Sequence, residues 1–200
     1  MHKKQIHIIA GANGAGKTTK AEFLLPKGFL DTNEFVNADN IARGISPYNF
    51  DSPLVRIQAG RQALIRIDNL IKEQKSFAFE TTLSRLSEDK LVKKFIGLGY
   101  LVNLIFIYTN NPELNVARVK SRVKQGGHSI EEEVIKRRYF KGIKNLINLY
   151  LPLVNTVAVF DGSNIEFNYK EDEVAKKSSS GLIVLKQDIW DTLITISKTK

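Results

Sequence analysis

Two hundred residues correspond to about one domain, long enough to bury a core without covalent staples. With 42% apolar and 26% charged residues the chain is neither disordered nor fibrous, and with no cysteine it has no disulfide, zinc–thiolate site, iron–sulfur cluster or thiol nucleophile. The net charge of +9 is uneven: residues 118–144 carry nine Lys/Arg against three Glu, a segment that either attracts phosphate groups or forms a solvated helix face.

Met1-His2-Lys3-Lys4 leads into a short apolar run, Ile6 to Ala10, too brief for a secretory signal, and no window approaches membrane-spanning length. The expectation is a soluble, cytoplasmic protein. Gln5 to Ala10 reads as a buried strand running into a glycine-rich turn. Gly16 to Leu25 reads as a helix stopped by Pro26, and Glu34 to Asn37 as a short strand. Ser52-Pro53 opens a helix to about Gln74, whose Leu54, Ile57, Leu64, Ile67 and Ile71 keep the three-or-four spacing of an inward face. Ser76 to Phe79 is a third strand, Leu86 to Leu98 a helix ending at Gly99, and Leu101 to Tyr108 a strongly apolar strand.

Pro112 opens a helix to about Lys124. Gln125-Gly126-Gly127-His128 breaks the pattern, Glu131 to Tyr150 resumes it, and Thr156 to Phe160 is a fifth strand. Ile165 to Tyr169 and Leu182 to Leu185 are expected to pair as a hairpin around the polar loop 170–181, followed by a helix over Asp188 to Ser197. Trp190 and the scattered phenylalanines read as core, His7 as a structural strand residue, and His128 as a turn or surface residue outside the chemistry. Strands alternating with helices imply right-handed crossovers and a three-layer α/β sheet that is mostly parallel.

Residues 11 to 18, Gly-Ala-Asn-Gly-Ala-Gly-Lys-Thr, satisfy G-x-x-x-x-G-K-[ST] between a strand and a helix, the context this phosphate-binding loop requires. The glycines allow successive N–H groups to point at phosphate oxygens, and the helix adds its positive end. Gly11, Ala12, Asn13, Gly14, Ala15, Gly16, Lys17, Thr18 and Thr19 are therefore the candidate nucleotide-binding residues. Lys17 is placed to bridge the β- and γ-phosphates of ATP and Thr18 to ligate Mg²⁺.

Two acids fall at strand ends: Asp39 within Val36-Asn37-Ala38-Asp39, and Glu80 within Phe79-Glu80-Thr81-Thr82. A kinase needs one carboxylate to take the proton of an acceptor hydroxyl, and often another acid for the metal or the acceptor. Asp39 has a competing role as a helix N-cap, and Glu80 as a solvated strand-end acid. Leu101 to Tyr108 carries no acid at its tip, and Asp161 after the fifth strand is a weaker candidate. Arg118 and Arg122 share one helix face, and Arg137 and Arg138 follow the Gly126-Gly127 break. Such arginines can close over a transferring phosphoryl group, with the glycines as hinge of a lid at about 118–144.

Together these blocks resemble the zeta-toxin group of P-loop kinases: the cradle, Val36-Asn37-Ala38-Asp39 with Ser46-Pro47-Tyr48 downstream, Phe79-Glu80-Thr81-Thr82, and an arginine-bearing helix pair around Gly126-Gly127-His128, over roughly residues 5–160. The resemblance implies one P-loop kinase domain over 1–200, with a C-terminal appendage from about residue 161. It implies ATP-dependent phosphorylation of the amino-sugar 3′ hydroxyl of a UDP-N-acetylsugar or similar metabolite, with Mg²⁺ and an antitoxin partner. It casts Lys17 and Thr18 as phosphate and metal residues, Asp39 as general base, Glu80 and Thr82 as the acceptor-binding pair, and Arg118 or Arg122 with Arg137 or Arg138 as the phosphate clamp. The competing reading is a nucleic-acid-associated NTPase or nucleotide-gated binding protein. The basic segment favours it; the lack of stacking aromatics and of a DNA-binding helix pair speaks against it.

Overall fold

The computed structural model describes residues 3–25, 34–85, 87–164, 166 and 168–199. The predicted stop at Pro26, the predicted helix start at Leu86 and the Ile165 end of the predicted hairpin lie outside them.

Five parallel strands form the body of the sheet: β1 (Gln5–Ala10), β2 (Phe35–Val36), β3 (Phe77–Thr81), β4 (Leu101–Tyr108) and β5 (Thr156–Asp161). Their spatial order is β2-β3-β1-β4-β5, so the chain turns in opposite directions on the two sides of β1. Such a reversal opens a crevice beyond the carboxyl end of β1, where ligands of α/β folds bind. Two antiparallel strands, β6 (Glu173–Ser178) and β7 (Gly181–Val184), extend the β5 edge.

The apolar strands are buried on both faces, as continuous hydrophobic runs require. On one face Ile6, Ile8, Phe77, Phe79, Leu104 and Phe106 pack under α3 (Pro53–Lys72), α4 (Ser87–Gly97), α6 (Glu132–Asn145) and α8 (Gln187–Lys198). On the other, Ile9, Ala78, Ile105 and Ile107 pack with Ala21 and Leu25 of the segment begun by α1 (Lys17–Leu24). Helix α5 (Pro112–Lys124) joins α6 through Val116, Val119 and Ile135. The expected α/β architecture is the one observed.

Three expectations are corrected. The pairing arm before β7 is Glu173–Ser178, inside the segment expected to be a loop, and Tyr169 lies in a turn. Burial in this strand is confined to Val174 and Ala175, and Lys176, Lys177 and Ser178 follow them, a composition that an apolar-run criterion does not register as strand. Next, the helix predicted over Glu131 to Tyr150 changes pitch, becoming a π segment at Leu146–Tyr150 before the short α7 (Leu151–Leu153). Pro152 has no N–H for an i→i−4 bond, and Leu151 N–H instead bonds the carbonyl of Leu146. Finally, α3 does not bury all the apolar residues that suggested it. Ile67 and Leu70 are buried with Ala59, whereas Leu54, Ile57, Leu64 and Ile65 are exposed. Phe23 and Phe140 are exposed as well, while Trp190 is in the core.

Candidate active site

At the carboxyl end of β1 the chain bends through Gly11–Gly16 into α1. Gly11 and Gly14 have φ of +145° and +83°, and a Cβ on Gly14 would lie 2.4 Å from the Asn115 carbonyl oxygen. Glycine is needed there both for conformation and for close packing on α5. Buried Asn115 holds the loop from behind: its amide donates to the Asn13 carbonyl at 2.9 Å, and its oxygen accepts from Thr109 at the tip of β4. Arg138 of α6 donates to Asn13 Oδ1 at 2.9 Å.

The first turn of α1 has no side-chain cap and no acidic residue. Of the other helices, α2 (Ala38–Ile45), α3 and α5 are capped by Asn37, Ser52 and Asn111, whereas α6 and α8 lack a side-chain cap but carry acids in the first turn. The amides that open α1 are thus left for an external anion, as phosphate binding requires. Lys17 Nζ folds back on the carbonyls of Gly11 (3.0 Å) and Ala12 (3.2 Å). Burial pulls its pKa down, while Glu80 and Asp39 oppose that pull, so the ammonium faces two acids.

A cleft of about 530 Å³ opens here, of the size typical for ligand sites. It gathers Asn13, Gly14, Gly16, Lys17, Thr18 and Thr19 from the cradle, Asp39 and Glu80 from the adjacent strand ends, and Arg118 and Arg122 from α5. Asn37, not Asp39, caps α2: its Oδ1 accepts the N–H groups of Asp39 (2.8 Å) and Asn40 (3.2 Å). The Asp39 carboxylate is thereby left exposed in the first turn, turned to the cleft. Glu80 belongs to β3, in register with Ile9, and is half-buried rather than fully solvated. Burial raises its pKa, with Lys17, Thr18 and Asn37 working in the opposite direction, and its Oε1 has no partner among the described residues.

The four arginines are placed differently. Arg122 lines the cleft, donates to the His128 carbonyl at 3.4 Å, and keeps Nε buried without a partner among the described residues. Arg118 lines the cleft too, but both guanidinium ends donate at 2.7 Å to the carbonyls of Gly162 and Ser163, fixing the loop after β5. That loop also occupies Asp161, whose Oδ1 accepts from Ser163 N (2.9 Å) and Oγ (2.5 Å). Arg138 reaches the cradle through Asn13, and Arg137 is exposed and outside the cleft. Thr82 also lies outside it, its hydroxyl 2.8 Å from that of Ser84.

Gly126-Gly127 forms a tight C-terminal cap, the N–H of Gly127 bonding the Arg122 carbonyl at 2.9 Å. Next to it stands His128, which the sequence alone places outside the chemistry. It is buried in the cleft wall and hydrogen-bonded through Nδ1 to Asp51 from the α2–α3 loop. Sequence reasoning also misses Arg43, Phe50 and Arg56, which line the cleft, the Arg43 guanidinium 4.7 Å from the Phe50 ring centroid. Arg43 has a legible signal: four residues beyond Asp39, it shares that face of α2.

Among the described residues no cluster of three or more acids and histidines could hold a metal ion by itself, and no helix is long and apolar enough to cross a membrane. Thr18 with Glu80 offers the hard oxygen donors that Mg²⁺ prefers, to be completed by phosphate oxygens.

Comparisons with known proteins bear on the family and the fold. A family model described as Zeta toxin matches residues 2–173. An uncharacterized protein of Haemophilus influenzae is 39% identical over 140 residues, covering 70% of this chain and 94% of that protein. Among solved structures, the AvrRxo1-ORF1:ORF2 complex with ATP superposes with a TM-score of 0.77 at 16% identity, over 98% of this chain and 65% of that one, so the present chain spans about two thirds of that relative's length. The PezAT chromosomal toxin–antitoxin system of Streptococcus pneumoniae gives a TM-score of 0.62 at 15% identity, over 98% of this chain and 86% of that one. At these identities the structural matches speak for the fold.

Proposed function

The chain belongs to the zeta toxin family of P-loop kinases, and from that premise we propose that its cleft transfers the γ-phosphate of ATP to a hydroxyl of a UDP-N-acetylsugar or a closely similar metabolite. The observation that carries the reading is the gathering in one cleft of an uncapped helix start with Lys17, of Glu80 beside Thr18, and of the exposed Asp39 at the start of α2.

On nucleotide binding, Lys17 exchanges the Gly11 and Ala12 carbonyls for phosphate oxygens, and the amides of the cradle and the α1 start take the remaining phosphate charge. Thr18, with Glu80 beside it, would hold Mg²⁺, which supplies neutralisation of the β- and γ-phosphate charge. Asp39 accepts the proton of the attacking hydroxyl. Glu80 and Thr82 are assigned to the acceptor, Glu80 through the unpartnered Oε1 and Thr82 from the adjoining loop. Arg122 and Arg138, on the two helices of the α5–α6 lid, stabilise the charge of the moving group, while Arg118 holds the loop after β5 and Arg137, outside the cleft, is given no role. Arg43 and Arg56, which line the cleft, suit the diphosphate of a sugar nucleotide. The PezAT relative is a toxin–antitoxin system and the AvrRxo1 relative a complex of two gene products, which supports an antitoxin partner for this chain too.

The test is incubation with labelled ATP, Mg²⁺ and a panel of nucleotide sugars and small alcohols, followed by mass analysis. A sugar nucleotide heavier by one phosphoryl group is expected. ADP formation with no phosphorylated acceptor from any panel member overturns the reading.

A further inference from the structure

The transfer reaction, as assigned above, leaves the buried His128 of the cleft idle. His128 is 6% exposed and lines the cleft. Its Nδ1 meets Asp51 Oδ1, and Asp51 Oδ2 accepts the Ser129 N–H at 3.1 Å. A carboxylate can only accept, so Nδ1 carries the ring proton. Burial disfavours the doubly protonated ring; Arg138 acts in the same direction and Asp39 against it. Nε2 is therefore a lone-pair acceptor. It is buried with no donor among the described residues, and leaving a buried acceptor unmet is unfavourable. The ring lines the same cleft as the proposed base Asp39.

We propose that Asp51 and His128 form an acceptor-reading pair: His128 Nε2 takes a hydrogen bond from an O–H or N–H group of the phosphate acceptor, and Asp51 is the positioning residue that keeps the proton on Nδ1. The proposal rests on the kinase reading and narrows its substrate class. The acceptor carries a second hydrogen-bond donor near the attacked hydroxyl, as a polyhydroxylated or acetamido sugar does and a simple mono-alcohol does not. Asp39 still takes the proton of the attacked hydroxyl, and His128 exchanges none.

Asp51→Asn separates this role from a merely structural one. The carboxamide oxygen of that variant can keep the Ser129 N–H, while its NH₂ group donates to Nδ1 and drives the ring proton to Nε2. The turn stays tied and the polarity shown to the acceptor is inverted. With UDP-N-acetylglucosamine as first probe, D51N is expected to lose about 10- to 100-fold in kcat/KM for the acceptor, with ATP affinity unchanged. Wild-type kinetics in D51N would overturn the proposal and leave Asp51 a tie between loops. A second readout needs no acceptor: ¹⁵N-edited NMR of the ring at neutral pH should find the proton on Nδ1 in the wild type and on Nε2 in D51N. A wild-type ring protonated at Nε2, or at both nitrogens, refutes the pair whichever molecule is phosphorylated. Failure of the wild type to phosphorylate any panel member refutes the kinase reading instead, so the two failures are separable.

Discussion

The two walls of the cleft are built on different principles. The cradle wall is backbone pressed on backbone: Gly11 against the Ile107 carbonyl, Gly14 against that of Asn115, with Asn115 and Arg138 bonded to Asn13 behind them. The facing wall is a short helix and a loop, α2 and residues 46–52. It is held by the Asn37 cap, a cation–π contact between Arg43 and Phe50, and the Asp51 bonds to His128 and Ser129. A triphosphate presents the same oxygens in every reaction of this kind, so its site can be fixed by the main chain. An acceptor varies, and side chains on short segments can change without disturbing the sheet.

The comparison predicts which residues affect transfer alone and which affect nucleotide binding. The largest effect expected is from Asp39→Ala on the acceptor wall: a loss of about 10³-fold or more in phosphoryl transfer with ATP affinity retained, read from labelled-ATP transfer and from nucleotide titration. Near-normal transfer would remove Asp39 as base. Lys17→Ala, on the cradle wall, should cost about 10²- to 10³-fold in transfer and also weaken ATP binding. Unchanged nucleotide affinity there would break the contrast between the walls.

The walls also differ in how far the sequence discloses them. The cradle is contiguous, and each of its residues has a local reason: glycines for φ, Lys17 and Thr18 for phosphate and metal. Asp39 and Glu80 are legible because strand ends are where an α/β sheet exposes chemistry. The acceptor wall is assembled across distance. Asp51 and His128 are 77 residues apart, and a lone histidine beside two glycines carries no signal until the loop from α2 arrives next to it. Arg118 shows the converse: its spacing from Arg122 is correct, yet its bonds go to carbonyls 44 and 45 residues away, which no helical period reveals. In the fold, β1 to β5 follow from apolar runs, whereas β6, with burial limited to Val174 and Ala175, reads as loop.

Beneath the cradle, β1 carries a pH dependence of its own. Burial lowers the His7 pKa from 6.5 to about 4, so the unfolded chain binds a proton that the fold refuses. The stability is fully present above pH 6.5 and is lost as pH falls towards 4, amounting to about 3 kcal/mol. Denaturant titrations across this range should show that acid limb, and His7→Leu should flatten it; an unchanged limb would place the titration elsewhere. Gly14→Ala tests the backbone contact itself. A Cβ 2.4 Å from a carbonyl oxygen, at a φ of +83°, is expected to cost about 2–3 kcal/mol in unfolding free energy and to weaken ATP binding. The same change at Gly44 of α2, where nothing lies within 4 Å of the added carbon, should be neutral or slightly stabilising.

The smallest effect expected lies on α3, behind the acceptor wall. Steps of three or four link Leu54 and Leu64 to Ile67 along the sequence, but at about 100° per residue Leu54 lies about 140° round the helix from Ile67, and Leu54 and Leu64 are 79% and 55% exposed while Ile67 is 5% exposed. Spacing gives the angular position of a residue on its helix, but which sector is covered depends on the tilt of that helix over the sheet. Here the buried sector runs through Ala59, Ile67 and Leu70, about a quarter-turn or more from the apolar stripe at Leu54, Ile57 and Leu64. Leu64→Gln should therefore change the unfolding free energy by no more than about 0.5 kcal/mol, whereas Ile67→Ala, which empties a packed position, should cost about 2–4 kcal/mol. Equal losses in the two variants, measured on the isolated chain, would mean that the exposed stripe is covered in solution.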